Sequence, residues 1–535
     1  MRGVFFDQRV ATVARSPYRA DVALFVGFVD RRRRVHAGET PPGDVVQAIV
    51  PTGGRGGDPQ LYRWMVREGW ARGDETVDRA NGLDELLNVP VPIDSFDKFD
   101  RLFAWDQRPW TDDDRCDTYF GAAVRSFFVQ GGRLCYVARV GVPWQVPLTP
   151  DQATADVAQR AARLAQLVPA ERDPAGERAS WKGVWLVHGL PEISFIALPD
   201  LPDIVRAPVA ADRALPPPPA LEVGFVECSD PPGRPVEDLR IRELRAPTAD
   251  DAAFAAWTAA LQPLAGELER VRASASLREV QLVAAIPRPD DDRVGADLLR
   301  YLTGDVPRGL DATLEAGGIS TAFLQLAYPW LVTTSSQRLP GGVEPPDGAL
   351  CGVLARNALE RGTYRSAGGR ALVDAVDALP LLPARDVADP SNLGTLGGRV
   401  TLLGRAPGGI EVLSDVTTSK DPTFRLAHAN RAMSALVRAL RVIGEGVAFA
   451  PNSPATWAEL RARATDVLRQ FWRAGALRGT DERDAFDVRC DRTTTSQADL
   501  DDGRVIVEVT VALALSIQRI DVTVTRHGVA LERAA

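Results

Sequence analysis

The chain is poor in several of the residues from which active sites are built. Its four histidines, His36, His188, His428 and His527, lie far apart and show no metal-ligand spacing. The five cysteines, Cys116, Cys135, Cys228, Cys351 and Cys490, are odd in number, scattered, and form no C-x-x-C pair. That excludes a zinc ribbon or a disulfide framework and fits a reducing compartment, hence assembly in the cytoplasm. Lysine is confined to Lys98, Lys182 and Lys420, and none follows a glycine, so a phosphate-cradling G-x-x-x-x-G-K-[ST] loop is excluded. There is no H-E-x-x-H, no EF-hand loop and no G-x-G-x-x-G. No apolar run approaches the roughly 18 residues of a membrane span, and "MRGVFFDQRV" lacks the apolar core of an export signal. A net charge of −8 with pI near 5.4 argues against a nucleic-acid face. No catalytic, metal-binding or cofactor-binding set can be assembled, and no nucleic-acid partner or membrane insertion is expected.

What is present is a multi-domain globular chain of 535 residues, too long for one core. "DVALFVGFV" (21–29) reads as a strand buried on both faces, and "RRRR" (31–34) as a solvated loop after it. "AVRSFFVQGGRLCYVARV" (123–140) reads as helix, glycine turn and buried strand: Tyr119/Phe120, Ala123/Val124 and Phe127/Phe128 recur every four residues, and Gly131–Gly132 end the helix. Helices are expected over 151–168 and 252–272, and strands at "WKGVWLV", "ISFIAL" and "VQLVAAI". "LPPPPAL" (215–221) reads as a stiff internal boundary. "GGRVTLLGRAPGG" (397–409) reads as a strand bounded by turns, and Asp112–Asp114 and Asp290–Asp292 as solvated turns. His188, after an apolar triplet, reads as a core or strand-end histidine. Ser453 caps and Pro454 opens a helix closed by Gly475; "GRVIVEVTVALAL" then places Val505, Val507, Val509, Val511, Leu513 and Leu515 on one face of a long strand. No repeat of solenoid or propeller length is present.

"RLAHANRAMSALVRALRVIG" (425–444) carries Leu426, Met433, Leu436, Val437, Leu440 and Ile443 on one helix face and Arg431, Arg438 and Arg441 on the other. The arginines read either as a solvated face or as a basic stripe for an acidic partner.

In chain order, several blocks together resemble the tail sheath proteins of contractile phages and phage-derived injection systems. They are "VPVPIDSFDKFDRLF" with "AVRSFFVQGGRLCYVARV", "YPWL" (328–331) with "EPPDGALCGVLARNALERGTYRSAGG" (344–369), the run from Arg431 to Leu477 that includes "FWRAGAL", and "AFDVRCD" with "DLDDGRVIVEV" (485–509). Gln130 stands where the family has asparagine, and both termini depart from the family pattern.

The resemblance implies an α/β fold with an α+β C-terminal part. Its parts would be an N-terminal β arm (1–20), a central α/β subtilisin-like sheath domain (21–385) with a variable, outward-facing region (141–275), a C-terminal sheath domain (386–515) and a C-terminal arm (516–535). It further implies a non-enzymatic subunit that polymerises around an inner tube and contracts to drive the tube through a target envelope. A specialised baseplate-proximal or end-capping relative, and more remotely a subtilisin-like hydrolase, are the alternatives. Partners would be further copies in six-fold rings, the inner tube protein, and baseplate and cap proteins. Val4, Phe5 and Phe6 would anchor one strand-donating arm and Ile520, Val522 and Val524 the other, while Arg431, Arg438 and Arg441 would meet the tube.

Overall fold

A computed structural model describes residues 20–32, 59–71, 82–111, 113–171, 176–208, 241–242, 244–270, 279–289, 318–382, 394–447 and 450–514. Residues 1–19 of the N-terminal arm, the whole C-terminal arm, the 215–221 boundary, Arg33, Arg34, His36, Asp112, Cys228, Asp290–Asp292 and His527 lie outside the described residues. The chain forms two compact units, Met1–Ala450 and Pro451–Ala535.

In chain order the principal elements of the first unit are β1 (Ala23–Phe28), α1 (Pro59–Arg67), β2 (Val91–Ile93), α2 (Phe96–Leu102), α3 (Tyr119–Val129), β3 (Cys135–Gly141), α4 (Pro150–Leu167), β4 (Phe195–Ala197), α5 (Asp251–Glu269), β5 (Gln281–Ala285), β6 (Leu324–Tyr328), β7 (Trp330–Thr333), α6 (Asp347–Arg361), β8 (Ala375–Leu379), β9 (Thr401–Ala406), β10 (Gly409–Val412) and α7 (Ala427–Glu445). The second unit contains α8 (Pro454–Arg473), β11 (Phe486–Arg489) and β12 (Glu508–Val511).

An eight-stranded sheet in the order β10-β9-β6-β5-β4-β1-β3-β2 organises the first unit. Its six inner strands run parallel, and each edge strand pairs antiparallel. Every residue of β1, β4, β5 and β6 is buried, which is why these strands read as apolar runs without alternation. The 141–275 region is not wholly outward-facing, because β4 from its middle lies between β1 and β5. The break expected at 385/386 falls instead at 450/451, because β9 and β10 complete the first unit's own sheet.

The helix–turn–strand unit forms as read. Thr118 Oγ1 accepts from the Gly121 N–H at 3.0 Å, Gly131 takes φ +100° beyond the helix end, and β3 pairs with β1 from Ala23↔Cys135 onward. Phe25 of β1 meets Phe127 of α3 edge-on, with ring centres 5.5 Å apart. Gln130 clasps both backbone groups of Val373, its Nε2 donating to the carbonyl and its Oε1 accepting from the N–H at 2.8 Å. The strand expected at "WKGVWLV" is instead a 3-10 helix, Gly183–Gly189, opened by Gly183 at φ +55°. An uninterrupted apolar run of this length does not distinguish a buried strand from a buried helical segment.

Arg31 and Arg32 are buried, not solvated. Arg32 reaches Asp100 at 2.9 Å and Asp106 at 2.6 Å, and Arg31 donates to the Leu102 carbonyl at 2.8 Å. In the second unit, Ser453 Oγ accepts from the Thr456 N–H, α8 buries Trp457, Leu460, Ala464, Val467 and Leu468, and Gly475 follows at φ +83°.

Candidate functional site

In an open α/β sheet, ligands bind beyond the carboxyl ends of the strands where the winding reverses. Here the chain passes from β1 to β3 on one side and then to β4 on the other, so the reversal lies between β1 and β4. Side chains fill that position. Asp200, just beyond β4, is buried and accepts the Phe28 N–H at 2.7 Å and the Phe120 N–H at 3.1 Å. A Cβ built on Gly27 would stand 2.3 Å from the Phe120 ring and 2.5 Å from the Asp200 carboxylate, so no room is left between them. Burial pushes the Asp200 carboxyl up to about 7.

Beside it runs an ion network rather than a nucleophile and base. Asp203 binds Arg108 at 2.7 Å and Arg206 at 2.8 Å, and Arg206 also binds Asp156 at 2.8 Å. Burial pushes the Asp203 carboxyl up, but Arg108 and Arg206 outweigh it and hold it below the usual carboxylate range. His188 stacks on Trp185 and His428 is buried on α7, where desolvation lowers its pKa. Among the described residues no three His, Cys, Asp or Glu side chains are placed to hold a metal ion. None of the described helices is long and apolar enough to cross a membrane.

The arginine stripe of α7 corrects the sequence reading. The helix docks by a face of arginines, alanines and one leucine: Arg431, Ala432, Ala435, Leu436, Arg438 and Ala439 are buried, whereas Val437 and Val442 are 42% and 44% exposed, so of the expected apolar face only Leu436 is buried. Arg431 makes a two-pronged pair with Asp415, at 3.1 and 2.6 Å, and donates to Gln325 Oε1 at 3.3 Å. Burial raises the Asp415 carboxyl, but Arg431 outweighs burial and holds it below the carboxylate range. Arg438 donates to Glu279 at 3.3 Å, to Ser194 Oγ at 3.1 Å and to the Ile193 carbonyl at 2.6 Å. Arg441, 36% exposed, pairs with Glu279 at 2.9 Å. Arg431 and Arg438 therefore neutralise acids within the chain, and Arg441 alone of the three reaches the surface. The small alanines bring α7 close enough for arginines to reach the start of β4 and β5. Glu279 lies 159 residues from Arg438 in the chain, so nothing local in the sequence announces the pairing.

The second unit offers a different feature. β11 and β12 form an antiparallel pair from Phe486↔Val511 to Arg489↔Glu508, and among the described residues no further strand joins it. From 505 to 511 the odd-numbered residues are half-buried and the even-numbered ones exposed. The expected one-sided face of Val505, Val507, Val509 and Val511 thus forms, although the regular strand covers only Glu508–Val511. A two-stranded sheet with unpaired edges is a template for an added strand.

No protein-family model matches the sequence, and neither does any curated protein. Solved structures do match. The chain is similar to a protein in the contracted baseplate of the anti-feeding prophage, with 17% identity over 100% of this chain and 99% of that one and a TM-score of 0.54. It is similar to the contracted helical sheath of the same particle, with 17% identity over 98% and 99% of the two chains and a TM-score of 0.51. A third likeness is to the contracted sheath complex of PVC, an extracellular contractile injection system, with 16% identity over 82% and 87% and a TM-score of 0.50. Over nearly its full length, this chain has the fold of contractile tail sheath proteins.

Proposed function

We propose that the protein is a structural sheath subunit, which polymerises around an inner tube and contracts to drive that tube through a target envelope. The observation that carries this reading is the fold likeness to a helical sheath along 98% of the chain. The side-chain plug at the sheet's reversal point supports it, since that is where an α/β enzyme keeps its substrate. In this reading the subunits form rings or helices, consistent with a baseplate described as six-fold symmetrised, and meet the inner tube, baseplate and cap proteins. Assembly takes place in the cytoplasm.

Neighbouring copies are linked by the terminal arms. Residues 1–20 and 516–535 add strands to the open β11–β12 sheet of another copy, with Val4, Phe5 and Phe6, or Ile520, Val522 and Val524, entering alternate pockets. Many modest contacts then sum over the lattice. Tube contact falls on the outward face of α7, through Arg441 with Val437 and Leu440, and not through Arg431 or Arg438. Deleting residues 1–14, or everything past Ser516, tests the linkage: ordered polymers should vanish while the globular body stays soluble. Cylinders of normal length from both truncations would overturn it. The likeness to a baseplate chain favours a second reading, a specialised sheath-like ring beside the baseplate. Particles with one ring of this chain per tube, rather than many, would select that reading.

A further inference from the structure

Beneath α7 lies a cavity of about 10 Å³ whose polar wall includes Ser194, Glu279, Gln281, Asn430, Ser434 and Arg438. Gln281, the first residue of β5, is 5% exposed, and neither its Oε1 nor its Nε2 has a hydrogen-bond partner. A buried amide with neither atom paired is rare in folded proteins, because desolvation is then uncompensated. The cavity is of the size that admits one water molecule. We propose that it is a water site, in which a single ordered water binds the Gln281 amide and ties it to the polar groups that seat α7.

The chemistry of the wall selects water over an ion. Glu279 repels an anion, and Arg438, which donates to Glu279 and Ser194, repels a cation. The Gln281 amide offers one acceptor and one donor side by side, and water alone among the candidates can both give and take a hydrogen bond there. Most of the remaining wall is apolar, with Phe195, Val280 and Phe323 among its residues, so the water's partners are the few polar groups beside the Gln281 amide.

A high-resolution structure of the full chain tests this directly. A density peak should stand within about 3.2 Å of Gln281 Oε1 or Nε2 and of at least one further polar wall atom. In Gln281→Met, which keeps the shape and removes both polar atoms, the peak should disappear while α7 stays docked. The site is overturned if the cavity of the unmutated chain is empty where surface waters are visible, or if the amide has turned to a protein partner. It is equally overturned if the peak persists unchanged in Gln281→Met. The unmutated structure alone is decisive should that variant fail to fold.

Discussion

Arg431 shows how a residue that looks like a surface charge becomes a structural one. Its guanidinium is 6% exposed and its partner carboxylate 1%, so removing either partner strands a buried charge. Asp415→Asn should therefore cost about 3–5 kcal/mol, read as a lowered urea midpoint. Arg441→Ala leaves the buried Glu279 still paired with Arg438, so it should lower the midpoint less than Asp415→Asn in the same titration. Three other carboxyls behave oppositely. Burial pushes Glu344 up to about 8, and Asp347 and Asp200 each up to about 7. Glu344 accepts from Ser126 at 2.6 Å and Thr333 at 2.8 Å, while its second oxygen and one oxygen of Asp347 are buried without partners. The folded chain holds protons that the unfolded chain releases near pH 4. That contribution is complete below about pH 4 and is lost as pH rises through 7 to 8, by at most about 1.4 kcal/mol per pH unit per group. Asp203 and Asp415, held low by arginines, oppose this on the acid side, since their contribution is lost as pH falls. The first unit should therefore melt at higher temperature near pH 6 than near pH 9. Glu344→Gln, which mimics the protonated acid, should flatten the difference; an unchanged slope in calorimetry would refute the assignment.

Elements differ in how far the sequence announces them. The α3–β3 unit was legible because its aromatic period, glycine stop and apolar strand all agree, and tertiary packing follows the same faces. In α7 the period was legible but the phase was not. Hydrophobic patterning assumes that the apolar face goes inward, whereas here alanines and arginines do so with Leu436 alone of that face, because acids outside the helix, Asp415 and Glu279, await the arginines. The two-stranded β7–β8 ribbon and the clasp of Gln130 on Val373 likewise depend on partners far along the chain. Helices α3 and α6 meet almost backbone to backbone. A Cβ on Gly348 would lie 2.5 Å from Ala123 Cα and O, and one on Gly352 would lie 2.5 Å from the Phe127 carbonyl. Gly348→Ala should thus force the helices apart and cost about 1–3 kcal/mol in thermal unfolding, even though alanine is the better helix former.

For the whole molecule, the sheath resemblance rested on ordered blocks such as "AVRSFFVQGG" and "FWRAGAL", and the fold matches it. The domain boundary did not follow, since nothing in "GGRVTLLGRAPGG" tells whether its hairpin closes one sheet or opens the next. The parts that would link copies lie at the chain ends, while among the described residues the buried Arg32, Arg108, Arg206, Arg431 and Arg438 pair with acids inside the first unit. Linkage by strand addition, as proposed, relies on backbone hydrogen bonds more than on surface charge, and on that proposal polymer formation should depend only weakly on salt between low and physiological ionic strength. Light scattering of assembling protein across a salt series checks this. The most direct measurement is negative-stain microscopy of the full-length chain expressed with its inner-tube protein. Long striated cylinders enclosing the tube are expected; dispersed single subunits, with tubes left bare, would contradict a sheath function.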